Sequence, residues 1–95
     1  MDDTTIQAIK NHKTLLLDVR SAAEFASQKS PYASNLDVQD IARGAVPNVD
    51  TSTPIVVFCR SGSRAELAKQ VLTQKGFAHV INAGGYTDLP PELRD

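Results

Sequence analysis

The sequence contains very little cysteine, few aromatic residues and no block of like charge. Of its 95 residues one is cysteine, none is tryptophan and 5% are aromatic, while the formal net charge is −1. A single cysteine cannot close a disulfide within the chain, so stability has to come from packing. Because acidic and basic residues are balanced and interspersed, neither nucleic acid nor an anionic membrane is expected as the main partner.

Long apolar runs are also missing. No stretch approaches the roughly 20 apolar residues that a membrane-spanning helix needs. Met1 is followed by two aspartates and not by a basic segment with an apolar stretch behind it, so no secretory signal is visible. We therefore expect a soluble, cytoplasmic protein. A periplasmic protein whose natural start had been replaced would read the same way.

What the chain does contain is the composition of a small globular domain. Apolar residues make up 41% and charged residues 22% of the sequence, which is enough for a modest core. No internal repeat or low-complexity segment interrupts the chain. Its length predicts one domain over residues 1–95 and leaves no room for two.

Two continuous apolar runs have the length of buried strands. They are TLLLDV at residues 14–19 and IVVFC at residues 55–59. Such runs are typical of parallel strands that are covered on both faces. Two shorter segments, LDV at 36–38 and HVIN at 79–82, indicate further strands. The segment at 27–35, which contains a proline, reads as loop.

Helical signals alternate with these strands, which predicts an α/β fold with a mainly parallel central sheet. Each helical segment is recognised by a capping pattern or by apolar residues three and four positions apart. Four helices are predicted: one through Ile6 and Ile9 with Thr4 or Thr5 as its cap, one that opens with a capping box of Ser21 and Glu24, one over 41–43, and one that opens with a capping box of Ser63 and Glu66 and ends at Gly76.

The single cysteine, Cys59, stands between the second apolar run and the longest predicted helix. Gly62 in the intervening loop can adopt backbone angles that let successive N–H groups converge. Such a nest at a helix N-terminus stabilises an anion, either the thiolate or a charged group attached to it. The pKa of a thiol in these surroundings falls below its usual value of about 8.5. Arg60 and Arg64 add positive charge and planar forks that bind oxyanions.

The alternative interpretation of Cys59 is a buried, inert residue. Free cysteine is among the most buried residue types, and both arginines would then be ordinary surface residues. A glycine loop, a helix start and two arginines are unusual neighbours for an inert core thiol. The combination therefore favours a reactive one.

Four segments of the chain together resemble the single-domain rhodanese family. They are DVRSAAEF at 18–25, PYASNL at 31–36, FCRSGSRA at 58–65 and GFAHVINAGGYTDL at 76–89. Their order and spacing carry the resemblance over almost the whole chain. It implies a rhodanese-like three-layer sandwich with a mainly parallel central sheet flanked by helices. It also implies sulfur transfer through a persulfide on Cys59, with no cofactor and no metal.

In the reaction that the resemblance implies, the Cys59 thiolate removes the outer sulfur of thiosulfate or a similar donor. Cyanide or a thiol, including a protein thiol, then accepts that sulfur. Asp18, at the end of the first strand, is a candidate supporting residue, and Arg20 and Glu24 have the spacing of a structural ion pair. The predicted substrate-binding residues, which contribute backbone amides or positive charge, are Arg60, Ser61, Gly62, Ser63, Arg64 and Ala65.

Two other functions share this pattern. A small cysteine-dependent phosphatase or arsenate reductase separates its cysteine and arginine by five residues. Here four residues separate Cys59 from Arg64, and the next position is Ala65. The shorter loop suits a sulfur better than a tetrahedral oxyanion. The second alternative is a non-catalytic interaction domain of the same fold, and the presence of Cys59 counts against it.

Overall fold

The chain forms a four-stranded, all-parallel sheet with helices on both faces, which confirms the predicted α/β fold. A computed structural model describes residues 1–94. The sheet order is β2-β1-β3-β4, with parallel pairing throughout. The elements in chain order are α1 (Asp3–Lys10), β1 (Leu15–Asp18), α2 (Ala22–Ser27), β2 (Ala33–Asn35), α3 (Val38–Ala42), β3 (Ile55–Cys59), α4 (Ser63–Gln74), β4 (Val80–Gly85) and two 3-10 turns (Tyr86–Asp88 and Pro91–Leu93).

Alternation along β3 divides the core into two clusters and decides where the cysteine points. Successive side chains of a strand face opposite sides of the sheet. Val56 and Phe58 pack with α1 and the C-terminal turns. Ile55, Val57 and Cys59 pack with α3 and α4. All five residues of β3 are buried, as the apolar run predicted, and Cys59 lies on the α4 side of the sheet.

The second strand differs from the sequence prediction. β2 covers Ala33–Asn35, within the segment that we predicted to be loop, and residues 36–38 are not a strand. β2 is an edge strand, and none of its residues is fully buried. Its parallel pairing with Leu16, Leu17 and Asp18 of β1 holds it in the sheet. Because that pairing is made by backbone groups, no apolar pattern marks this strand in the sequence.

Two helices begin at other residues than predicted. Asp2, and neither threonine, caps α1, because its carboxylate accepts a hydrogen bond from the Thr5 N–H at 2.8 Å. Asp37 caps α3 by accepting from the Gln39 N–H at 2.9 Å. The third helix therefore begins at Val38, three positions before the predicted start. Aspartate is as good an N-cap as serine or threonine, so the cap chemistry was right in kind and wrong in position.

The last strand is longer than predicted and carries a bulge. The register of β4 passes from Asn82 opposite Val57 to Gly85 opposite Cys59. β4 thus has one more residue than β3 over this stretch, as in a β-bulge. Gly84 lies in the bulge with a φ of +88°, which favours glycine. Within residues 1–94, no helix is both long enough and apolar enough to cross a membrane.

Candidate active site

The sulfur of Cys59 lies among backbone N–H groups of residues 59–65, a segment called the cradle below. The Gly62 N–H donates to Sγ at 2.9 Å and the Ala65 N–H at 3.4 Å. Gly62 is the N-cap of α4 with a φ of +105°, which residues with side chains rarely adopt. The backbone geometry of an anion site is therefore present. The predicted capping box of Ser63 and Glu66 is not, because Gly62 begins the helix without a side-chain cap.

Two opposing effects act on the thiol. Burial raises the pKa of Cys59, while the nearby backbone N–H groups of Ala65, Ser61, Gly62 and Arg64 lower that pKa. The effect of the N–H groups outweighs that of burial, and the pKa of Cys59 falls below its ordinary value. The site therefore favours the thiolate, which is the nucleophilic form. Cys59 is 0% exposed, so a bulky reactant cannot reach the sulfur as the loop stands.

A groove of about 540 Å³ lies next to the cradle, because Arg60 of the cradle is one of its lining residues. Arg60, the residue after Cys59, is exposed on its wall. A separate cavity of about 350 Å³ is lined by no titratable side chain, so it offers no comparable chemistry. The groove is lined by Arg20, Ala23, Glu24, Ser27, Gln28, Arg60, Tyr86 and Thr87.

Arg64 is bound to Glu24 by two hydrogen bonds. Its Nη1 lies 2.6 Å from Oε1 and its Nη2 lies 3.0 Å from Oε2 of the carboxylate. The guanidinium holds the pKa of Glu24 at about 2, and Glu24 in turn raises the pKa of Arg64. Glu24 also closes the predicted capping box with Ser21. The pair therefore fastens the start of α2 to the first turn of α4 and neutralises the charge of Arg64.

The expected ion pair between Arg20 and Glu24 is not formed. Arg20 binds Asp18 instead, with Nη2 at 2.7 Å from Oδ2 and Nε at 3.0 Å from Oδ1. This contact raises the pKa of Arg20. Both residues are buried, and the Arg20 guanidinium lies 5.3 Å from the ring centre of Tyr86. Asp18 therefore orients an arginine of the groove wall, and the contacts of its carboxylate are with Arg20.

Asn82 of β4 supports the cradle, although no motif in the sequence pointed to it. Its Nδ2 donates to the Gly62 carbonyl at 3.0 Å, and its Oδ1 accepts from the Gly84 N–H at 2.8 Å. Nearby, a Cβ atom on Gly85 would lie 2.8 Å from the carbonyl carbon of Arg60, so only glycine fits. An asparagine within a strand is unusual, and that anomaly was the available signal.

The chain is similar to known proteins over most of its length. The thiosulfate sulfurtransferase PspE of Escherichia coli strain K12 is 30% identical over 74 residues, which cover 77% of this chain and 71% of PspE. The thiosulfate sulfurtransferase GlpE of Pseudomonas savastanoi pv. phaseolicola is 32% identical over 83 residues, which cover 87% of this chain and 77% of GlpE.

Solved structures share the fold. The human single-domain sulfurtransferase TSTD1 superimposes with a TM-score of 0.75 at 24% identity, over 90% of this chain and 88% of that one. A rhodanese with anions from E. coli superimposes with a TM-score of 0.69 at 29% identity, over 80% of this chain and 91% of that one. The Rhodanese-like domain matches residues 2–89, and the chain therefore belongs to the rhodanese-like sulfurtransferase family.

Proposed function

We propose that the protein carries sulfane sulfur as a persulfide on Cys59 and passes it from thiosulfate, or a similar anionic donor, to a nucleophilic acceptor. The observation that carries the proposal is the pair of N–H contacts to Sγ, at 2.9 and 3.4 Å. A persulfide is an anion like the thiolate, so the N–H groups that stabilise the thiolate also suit the persulfide. Thiosulfate is the first choice of donor because two relatives are named thiosulfate sulfurtransferases.

The reaction has two half-reactions that balance without an oxidant. The Cys59 thiolate attacks the outer sulfur of thiosulfate, a new sulfur–sulfur bond forms, and sulfite leaves with the electron pair of the broken bond. An acceptor nucleophile then attacks the outer sulfur of the persulfide, and Cys59 leaves as a thiolate. Cyanide becomes thiocyanate, and a thiolate becomes a persulfide. Covalent catalysis of this kind replaces one difficult step by two easier ones.

The two arginines receive different roles in this proposal. Arg60 is exposed on the groove wall, so its charge is available to an anionic donor. The guanidinium of Arg64 is paired with Glu24, so Arg64 contributes its backbone N–H to the cradle. The N–H groups of Ser61, Gly62, Ser63 and Ala65 complete the proposed anion site.

Mass spectrometry of the intact protein tests the persulfide. Incubation with thiosulfate should add the mass of one sulfur atom, and cyanide should remove it. Cys59→Ser should show no addition. Failure of the wild type to gain sulfur, or a gain that survives Cys59→Ser, contradicts the proposal.

Charge at the groove is tested in the same assay. Arg60→Gln should raise the thiosulfate concentration needed for half-maximal loading severalfold. The matched control is Arg43→Gln, which removes an arginine whose side chain is 77% exposed and whose pairing with Asp40 is loose, at 3.9 Å. Equal loading curves for the two variants would show that Arg60 does not bind the donor.

The alternatives predict other results. Turnover of an aryl phosphate that depends on Cys59 would support a phosphatase. A protein that binds its partner equally well with Cys59→Ser, and that takes up no sulfur, would be an interaction domain.

A further inference from the structure

The bulge of β4 lies directly against the cradle. It begins at Asn82, where the register with β3 changes, and includes Gly84. A Cβ atom built on Gly62 would lie 3.4 Å from the Cα of Gly84, so the two glycine backbones are in close contact. Bulges are common beside active sites, where they redirect a side chain. Asn82 is the last residue of β4 in regular register before this bulge.

The Asn82 amide connects the bulge to the cradle through three hydrogen bonds. Its Oδ1 accepts from the Gly84 N–H at 2.8 Å and thereby closes the bulge. Its Nδ2 donates to the Gly62 carbonyl at 3.0 Å and to Oε1 of Glu66 at 3.2 Å. Both hydrogens of the Asn82 amide have acceptors. The Gly84 N–H needs an acceptor, so Oδ1 and not Nδ2 must face it. The orientation of the amide therefore follows from its partners.

Gly62 is the residue on which these contacts converge. Its N–H makes the shortest contact to the sulfur, at 2.9 Å. Its carbonyl accepts from the Glu66 N–H, at 2.9 Å, as the first bond of α4, and from Asn82. Glycine is the residue least restricted by its own backbone sterics. A contact from outside the loop, here from Asn82, therefore helps to hold this left-handed glycine in one conformation.

We propose that Asn82 is a positioning residue, which holds Gly62 in the conformation that directs its N–H at Sγ of Cys59. Asn82 does not touch the sulfur. Its Nδ2 and the Glu66 N–H both donate to the Gly62 carbonyl and together fix the peptide unit that follows Gly62, which limits the backbone angles of that residue. Without Asn82, only the helix bond from Glu66 holds that carbonyl, so Gly62 samples a wider range of backbone angles and its N–H spends less time on the sulfur. The thiolate then loses part of its stabilisation.

The expected slowing of sulfur loading without Asn82 rests on the proposed sulfur transfer, but the expected rise in the pKa of Cys59 does not. A cradle that aligns an N–H on the thiolate also aligns it on an anionic persulfide. Loss of Asn82 should therefore both raise the pKa of Cys59 and slow sulfur loading. The first consequence is measurable with no sulfur donor present.

The test is the pH dependence of Cys59 alkylation by iodoacetamide, which reacts with the thiolate. Asn82→Ala removes all three hydrogen bonds and adds no charge. We expect the midpoint of its profile to rise by about one pH unit, which is about a tenfold smaller thiolate fraction at pH values below the midpoint. A purely structural role would lower the melting temperature without moving the midpoint.

Asn35→Ala is the matched control. Asn35 also lies in a strand, and its Nδ2 donates to the backbone carbonyls of Asp18 and Arg20 at 3.0 and 2.9 Å. Its loss should destabilise the protein to a similar extent, with the alkylation midpoint unchanged. A folded Asn82→Ala protein with the wild-type midpoint would overturn the proposal, as would an equal shift in the Asn35→Ala protein.

Asn82→Ser covers the case in which Asn82→Ala does not fold. A serine hydroxyl can accept from the N–H two positions along the chain, as Asn82 does from Gly84, but serine has no amide to donate to the Gly62 carbonyl. The substitution adds no charge to act on Cys59. A raised midpoint supports the proposal, and the wild-type midpoint in the folded protein refutes it.

The same proteins separate the two proposals. If the wild type takes up no sulfur but the Asn82→Ala midpoint rises, the proposed function fails and the positioning role stands. If the wild type takes up sulfur and the Asn82→Ala midpoint and loading rate are unchanged, the positioning role fails alone.

Discussion

Replacing Glu24 by glutamine tests whether its ion pair with Arg64 stabilises the junction of α2 and α4. A pKa lowered from 4.5 to about 2 corresponds to about 3 kcal/mol at face value. The two side chains are 31% and 36% exposed, and solvent screening reduces the value to about 1 kcal/mol. Glutamine is also accepted in a capping box, so the helix cap with Ser21 should survive. We expect the melting temperature to fall by about 4–8 °C.

The effect should depend on pH in a defined direction. The pKa of Glu24 is lower in the folded protein than its ordinary value of 4.5, so the folded state favours the ionised carboxylate. The contribution is complete at pH values above the unfolded pKa and disappears as the pH falls through about 2. The difference in unfolding free energy between wild type and Glu24→Gln should therefore be constant near neutral pH and shrink towards zero in acid.

Urea denaturation of both proteins at a series of pH values measures that difference. The control is Asp40→Asn, which breaks the exposed contact of Asp40 with Arg43 at 3.9 Å. It should change the free energy of unfolding by less than about 0.5 kcal/mol at every pH. A Glu24→Gln protein as stable as the wild type at pH 7, or a difference that does not diminish in acid, would refute the reasoning.

Two further substitutions examine the surroundings of the site. Gly85→Ala places a methyl group against the Arg60 carbonyl, so it should lower the free energy of unfolding by about 1–3 kcal/mol and slow Cys59 alkylation. The control Gly44→Ala, at a φ of +113°, should also destabilise the protein but leave alkylation unchanged. Equal alkylation rates in the two proteins would disprove the contact. Asp18→Ala leaves the Arg20 guanidinium buried without its carboxylate and should lower stability by about 3–5 kcal/mol, seen as a fall of more than about 12 °C in melting temperature; a fall of only a few degrees would contradict a buried ion pair.

The elements that were predicted correctly are those whose signal is contained in consecutive residues. The apolar run at 55–59 is β3 without any change of bounds. β1 lies within the predicted run at 14–19. The capping box of Ser21 and Glu24 is formed, and Gly76 follows the end of α4 with a φ of +99°. Burial on both faces, helix caps and left-handed glycines are all local properties, which a single segment records.

The predictions that were wrong concern strands whose bounds depend on neighbouring strands in space. β2 is an edge strand because its backbone pairs with β1, and its own side chains are polar or small. β4 extends past Asn82 because the bulge lets Gly85 pair with Cys59. In both cases backbone hydrogen bonds to another strand stabilise residues whose intrinsic preference is for loop.

The sequence by itself determined the strand that ends at Cys59, the loop glycine and the helix that follows, because strand alternation and helix capping act between near neighbours. Only the tertiary structure decided which side chains serve the sulfur. Arg64 meets Glu24 across 40 positions of sequence and Asn82 meets Gly62 across 20. Whether an arginine is free or paired, and whether a glycine is held or mobile, depends on such contacts. Their partners are brought together by the packing of the sheet and helices, and no local pattern records them.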